Sequence, residues 1–183
     1  MNADDALKRL MKGNGHYLGS ETCPGDVSPG ARARTAAEGQ RPYAVIVACS
    51  DSRVIPEAIF SAGIGELFVI RVAGNVVGEH ELGSIEYAAE HLGTRLVVVL
   101  GHTLCGAVGA ALHGHADGAV ASIVNDIAEA IGDERDEKAA CRLNALTGAE
   151  RIRAGLPELI REGLMVVPAV YDTASGKVGI IEE

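Results

Sequence analysis

The sequence predicts an α/β protein: a central, mostly parallel sheet of four strands plus a terminal antiparallel strand, flanked by helices. Three observations predict it. From residue 43 onward, short apolar runs alternate with segments of helical periodicity. The runs are nearly continuous in apolar character, as strands covered on both faces are, and that is the habit of parallel sheets. The chain has 183 residues, 48% of them hydrophobic and 22% charged, which suits one domain (1–183) with a single core.

The elements follow in order. Residues 4–11 place Ala6, Leu7, Leu10 and Met11 on one helical stripe behind two acidic residues. So short a helix is expected to pack on something else, a partner subunit among the candidates. Residues 13–39 are rich in Gly, Pro, Ser and Thr and read as a long connection, so that 1–39 forms an N-terminal helix and arm. Strands are expected at 43–48, 66–72, 95–100 and 164–171, with a terminal antiparallel strand at 177–181 after a turn at 173–176. Helices are expected at 56–60, opened by Pro56, at 81–92, at 107–112, and around Val120, Ile123, Val124, Ile127 and Ile131. A more polar helical stretch covers 134–162, with breaks expected near Thr147-Gly148 and Gly155-Leu156-Pro157, and its charged run 134–153 reads as a solvated face.

Composition excludes several functions. Aromatics make up 3% of the chain and Trp is absent, so the core is aliphatic. The net charge is −9 with no Lys/Arg cluster, which argues against nucleic acid or an anionic membrane as partner. No apolar stretch approaches the ~20 residues of a membrane span, and the first ten residues carry no signal-like apolar region. A soluble, cytoplasmic protein is expected. The 4 cysteines, Cys23, Cys49, Cys105 and Cys141, are too few and scattered for a disulfide framework.

Chemistry concentrates in two places. Residues 49–53, Cys-Ser-Asp-Ser-Arg, bring a thiol, a carboxylate and a guanidinium to the end of the first strand, where open α/β sheets put their sites. Residues 101–106, Gly-His-Thr-Leu-Cys-Gly, end the third strand. If those strands are neighbours, Cys49, His102 and Cys105 converge at one edge. Two thiolates and one imidazole are a catalytic zinc set that leaves the fourth position open, and thiolates favour Zn²⁺ over Mg²⁺ or Ca²⁺. Cys23 and Cys141 read as small buried hydrophobes. His16, His80, His91, His113 and His115 read as solvated or structural. The 101–106 loop lacks the Lys-Ser/Thr of a phosphate-binding loop.

These two motifs, in this order and spacing, resemble the β-class carbonic anhydrases. Residues 40–42, 65–75, 85–88, 13–14, 171–172 and 176–177 match as well, so the resemblance covers nearly the whole chain. It implies one Zn²⁺ per subunit on Cys49, His102 and Cys105, with Asp51 beside the metal and Arg53 holding Asp51. It implies reversible hydration of CO₂ to bicarbonate and a proton by attack of zinc-bound hydroxide. Gln40, Phe68, Tyr87 and the backbone N–H of Gly106 would line the substrate pocket, partly from the other subunit of an intertwined dimer. A homodimer is then the minimal unit and a tetramer the larger alternative. Asp51 could instead occupy the fourth metal position, as in the family's closed form. The regulated subtype carries a Trp at its secondary anion site and this chain has none, so an open or readily opened site is expected near pH 8. Two rivals remain: hydrolysis of CS₂ or COS on the same fold, and a non-catalytic zinc-stabilised binding protein.

Overall fold

The structure, a computed structural model, describes residues 1–19, 25–114 and 116–182; Cys23 and His115 lie outside the described residues. Five strands form one sheet in the order β2-β1-β3-β4-β5. They are β1 (Ala44–Ala48), β2 (Leu67–Arg71), β3 (Leu96–His102), β4 (Met165–Tyr171) and β5 (Val178–Ile180). The first four run parallel and β5 returns antiparallel to β4. Strands one and three are therefore neighbours, with Ala48 opposite Leu100.

The continuous apolar runs have a simple cause. In β1 and β3, Ala44, Ile46, Leu96 and Val98 face one core, and Val45, Val47, Val97 and Val99 face the other. The first core is closed by α1 (Ala3–Gly19) and α3 (Pro56–Ile59), the second by α4 (Glu79–His91), α7 (Glu137–Gly155) and α8 (Pro157–Arg161). A third apolar cluster lies beneath the C-terminal strand ends and draws on α5 (Gly106–His113), α6 (Ala121–Ile131) and α7.

The N-terminal arm departs from expectation. The first helix does not stop at residue 11 but runs to Gly19, and residues 29–38 form α2 (Pro29–Glu38), not loop. Tertiary contacts override the weak helix propensity of Gly13 and Gly15. Asn14 Nδ2 donates to the carbonyls of Ile59 (3.2 Å) and Gly176 (3.0 Å), and its Oδ1 accepts from Val178 N (3.0 Å). The apolar stripe is buried by the chain's own core, with Ala6 1% and Leu10 0% exposed. It needs no second subunit to cover it.

Gly13 lets this helix lie against α3: a Cβ there would stand 1.9 Å from the carbonyl oxygen of Phe60. Gly13→Ala is expected to cost about 2 kcal/mol or more through overpacking, lowering Tm by roughly 4–8 °C. Gly15, with nothing within 4 Å of such a Cβ, is the control: Gly15→Ala should be neutral or slightly stabilising. Equal melting temperatures for the two variants would refute the close approach.

The polar helical stretch 134–162 also needs correction. It does not break at Thr147-Gly148, and one side is deeply buried through Ala140, Cys141, Asn144, Ala145, Gly148, Ala149 and Ile152. Small side chains let the helix sit tight on the sheet; a Cβ on Gly148 would meet Val99 Cγ1 at 3.1 Å. The break at Gly155-Leu156-Pro157 is present, as Pro157 starts a new helix.

Candidate metal centre

Cys49 follows the last residue of β1, His102 is the last residue of β3, and Cys105 caps the N-terminus of α5. Their ligand atoms all lie within 4.8 Å of one another, and all three residues are buried. The turn between the last two depends on Leu104, which adopts φ +57°, a conformation that costs an L-residue of order 1 kcal/mol.

The imidazole is preset as a ligand. His102 Nδ1 lies 3.0 Å from the carbonyl oxygen of Thr103, which can only accept, so Nδ1 carries the hydrogen. Nε2 then presents a lone pair, and this atom is buried with no hydrogen-bond partner. A buried acceptor without a partner is costly, and a metal ion on Nε2 removes that cost. Two sulfurs beside it make a donor set that fits a thiophilic ion.

The sulfur pair is prepared for one negative charge. Cys49 Sγ accepts from the amides of Gly74 (3.2 Å) and Asp51 (3.4 Å). Its thiol is pushed below the usual range, first by the hydrogen bond with Cys105 and then by His102 and these amides, against the opposing effect of burial. Cys105 is pushed up by the same contact with Cys49 and by burial, against the pull of the Val108 and Ala107 amides. The two behave as a pair sharing one proton. Burial lifts Cys141 to about 11, so this third thiol stays neutral in the apolar cluster, as a small hydrophobe does.

Asp51 is turned away from this set. Its Oδ1 accepts from Arg53 N and Nε, both at 2.9 Å, and its Oδ2 accepts from Arg53 Nη2 at 2.7 Å. Asp51 is not among the donors that converge. The Arg53 hydrogen bond holds its carboxyl well below the usual carboxylate range, against a smaller opposing effect of burial. Arg53 Nη2 also donates to the Leu104 carbonyl (2.9 Å), which joins the two loops.

Several contributors were not singled out in the sequence. Arg71, at the end of β2, donates to the carbonyls of Cys49 (3.0 Å) and Asp51 (2.7 Å) and sets the backbone of the first loop. Gly74, at φ +68°, aims its N–H at Cys49 while its carbonyl accepts from Asn144 Nδ2 at 2.7 Å. Arg71 and Gly74 fall inside the matching stretch 65–75, but Asn144, 4% exposed in α7, carried no signal. Asn144→Ala frees the Gly74 peptide, and metal affinity should fall roughly 10–100-fold in chelator competition. Unchanged affinity in a folded variant would show that Gly74 needs no such support.

Gly106 opens α5 next to Cys105, one of the converging donors. Gln40, Phe68 and Tyr87 do not reach it within one chain. Phe68 pairs with Val45, so it lies roughly 10 Å back along the strands from the Ala48–Arg71 pair that leads into the Cys49 loop. Its ring centroid is 6.2 Å from that of Tyr87, which is 48% exposed. Gln40 is exposed beyond the N-terminal end of β1, beside α2. His16, His80, His91 and His113 are exposed. No helix among the described residues is long and apolar enough to cross a membrane.

Known proteins are similar to this chain in sequence and fold. A sequence profile described as "Carbonic anhydrase" matches residues 44–178. "Carbonic anhydrase 2" of Mycobacterium tuberculosis is 46% identical over 127 residues, covering 69% of this chain and 61% of that protein. The chain thus matches less than two thirds of that relative's length. A Coccomyxa β-carbonic anhydrase solved with acetazolamide superposes with a TM-score of 0.75 at 25% identity, covering 85% of this chain and 78% of the other. One of two tetrameric β-carbonic anhydrases from Sordaria macrospora gives 0.70 at 26% identity, covering 85% and 88%. The profile takes in the four parallel strands and both ligand-bearing loops, and the fold around them is shared: the chain belongs to the β-class carbonic anhydrase family.

Proposed function

We propose that this chain is a zinc-dependent carbonic anhydrase, a lyase interconverting CO₂ and bicarbonate. The observation that carries the reading is the convergence of Cys49, His102 and Cys105 with a free Nε2, beside an Asp51 that Arg53 keeps ionised and off the donor set. Zn²⁺ held by these three residues supplies a nucleophile at neutral pH by lowering the pKa of water from about 15.7 to about 7.

The chain's own groups do the rest. Two thiolates already neutralise a divalent charge, so help from Asp51 matters here more than it would beside neutral ligands. Asp51 accepts the hydrogen of the attacking oxygen and points its lone pair at the substrate carbon. Arg53 fixes the carboxylate through a bidentate, charge-assisted pair. The N–H of Gly106, in the first turn of α5, has no intrahelical acceptor and is available to the oxygen that gains charge.

Gln40, Phe68 and Tyr87 of the partner subunit complete the pocket. Two facts support this: Phe68 sits on the edge strand β2 with Tyr87 of α4 beside it, and Tyr87 is exposed in one copy. A homodimer is then the smallest complete unit, with a tetramer as the larger form. Thiolate ligands and the free thiols Cys49, Cys105 and Cys141 suit the reducing cytoplasm.

Stopped-flow CO₂ hydration by the zinc-loaded protein, run beside COS and CS₂ hydrolysis, tests the reading. CO₂ turnover that vanishes with the metal supports it; hydrolysis of COS or CS₂ without CO₂ hydration rejects it.

A further inference from the structure

At the opposite end of the sheet from Cys49, the chain builds a cationic site. A cavity of about 260 Å³ opens between the segments leading into β1 and β3, and Arg9, Arg41 and Arg95 all line it. No carboxylate lines it among the described residues. In a chain of net charge −9, three guanidinium groups around one small cavity are a local reversal of sign. Arg9 is partly neutralised by its ion pair with Glu66 and has its guanidinium carbon over the Tyr43 ring, 4.1 Å from the centroid. Arg41 is exposed. Arg95 is half-buried, and its Nη1 is fully buried with no hydrogen-bond partner. A buried guanidinium nitrogen without an acceptor is costly, and an arginine fork matches the oxygens of a phosphate or carboxylate.

We propose that the Arg9–Arg41–Arg95 cavity binds a doubly charged oxyanion, a phosphate group free or esterified. The charge argues for a dianion: with Arg9 offset by Glu66, two guanidinium charges remain uncompensated. The three arginines come from α1, from the segment before β1 and from the segment before β3. The anion therefore ties the N-terminal helix to the foot of the sheet. Five residues, 44–48, separate Tyr43 at this cavity from Cys49 at the other end, so within one chain the ligand acts on the arm and not on the metal donors.

Calorimetric titration of the zinc-loaded protein with inorganic phosphate, against chloride at matched ionic strength, tests this. Saturable binding is expected. Arg95→Gln should weaken it at least ten-fold, and hydrogen exchange in α1 should slow with phosphate only in the unsubstituted protein. Arg41→Gln, at an exposed position, should also weaken binding and guards against a folding defect in Arg95→Gln. Phosphate binding untouched by both substitutions would place the anion elsewhere, the metal included, and overturn the proposal. Acetate binding as tightly as phosphate would overturn the dianion assignment. Absent phosphate binding, with Arg95→Gln shifting the oligomer in sedimentation, would give Arg95 to a carboxylate of a second copy and also overturn it. A phosphate monoester binding as tightly as free phosphate would show that one oxygen faces solvent and that an esterified ligand is accepted.

Discussion

A Cys105→Ser chain is expected to lose its metal and, with it, CO₂ hydration down to background. The substitution is nearly isosteric, so packing is kept while a thiolate becomes a hydroxyl that does not ionise at neutral pH. Structural zinc sites contribute about 10–16 kcal/mol of binding, so losing one of three protein ligands should remove roughly a third of that, or on the order of 10²–10⁴ in affinity. Competition with a calibrated chelator measures this directly. The loss should reach folding too, because a metal held by these donors would join the ends of β1 and β3 and the start of α5. Saturating zinc should raise Tm in the unsubstituted protein and much less in Cys105→Ser. Binding needs deprotonated sulfur, so affinity should fall as pH falls. A Cys105→Ser protein that keeps stoichiometric zinc at micromolar protein would remove Cys105 from the ligand set.

The sheet was legible because its physics is local. Apolar runs such as residues 95–100 have few alternatives to a strand covered on both faces, and the structure buries every residue of Leu96–His102. The three metal donors were legible because thiols and an imidazole at strand ends have few other uses. What escaped notice depended on contacts distant in sequence. The first helix extends through Gly13 because Phe60, 47 positions away, accepts a side chain no larger than hydrogen there. Asn144 looks like one polar residue in a charged helix until α7 docks and brings it to Gly74. The second helix could have been found: Ser28-Pro29 is a capping residue followed by proline at the first turn, and Ser28 Oγ does accept from Ala31 N at 3.1 Å. Gln40, Phe68 and Tyr87 illustrate the converse. Resemblance singles them out, yet one chain leaves them at the far end of the sheet, because their proposed role needs a second copy.

Asp51→Ala is expected to keep the metal and lose the reaction. Asp51 is outside the converging donors, so zinc affinity should change little. Orientation of the attacking oxygen is lost, and kcat/KM for CO₂ should fall by about 10²–10⁴, the range for a positioned proton acceptor. Arg53→Ala separates charge from position. At present the bidentate contact depresses the Asp51 pKa, so the group is ionised throughout the neutral range and its pairing with Arg53 weakens only as pH falls below the ordinary carboxylate range. Without Arg53 that pKa moves up toward the ordinary carboxylate range, and the acid limb of the activity profile should move up with it. The freed carboxylate also becomes able to turn toward the metal. Arg53→Ala should therefore show a steeper acid loss than the unsubstituted enzyme, whereas Asp51→Ala, having no carboxylate, should show none of that added dependence. If Asp51→Ala retained near-normal turnover, the carboxylate would be a structural partner of Arg53 and the nucleophile would be oriented by something else. If Arg53→Ala left the acid limb in place, the clamp would be fixing the loop through Leu104 alone, and the charge of the guanidinium would have no part in choosing between an Asp51 that aids the reaction and one that blocks it.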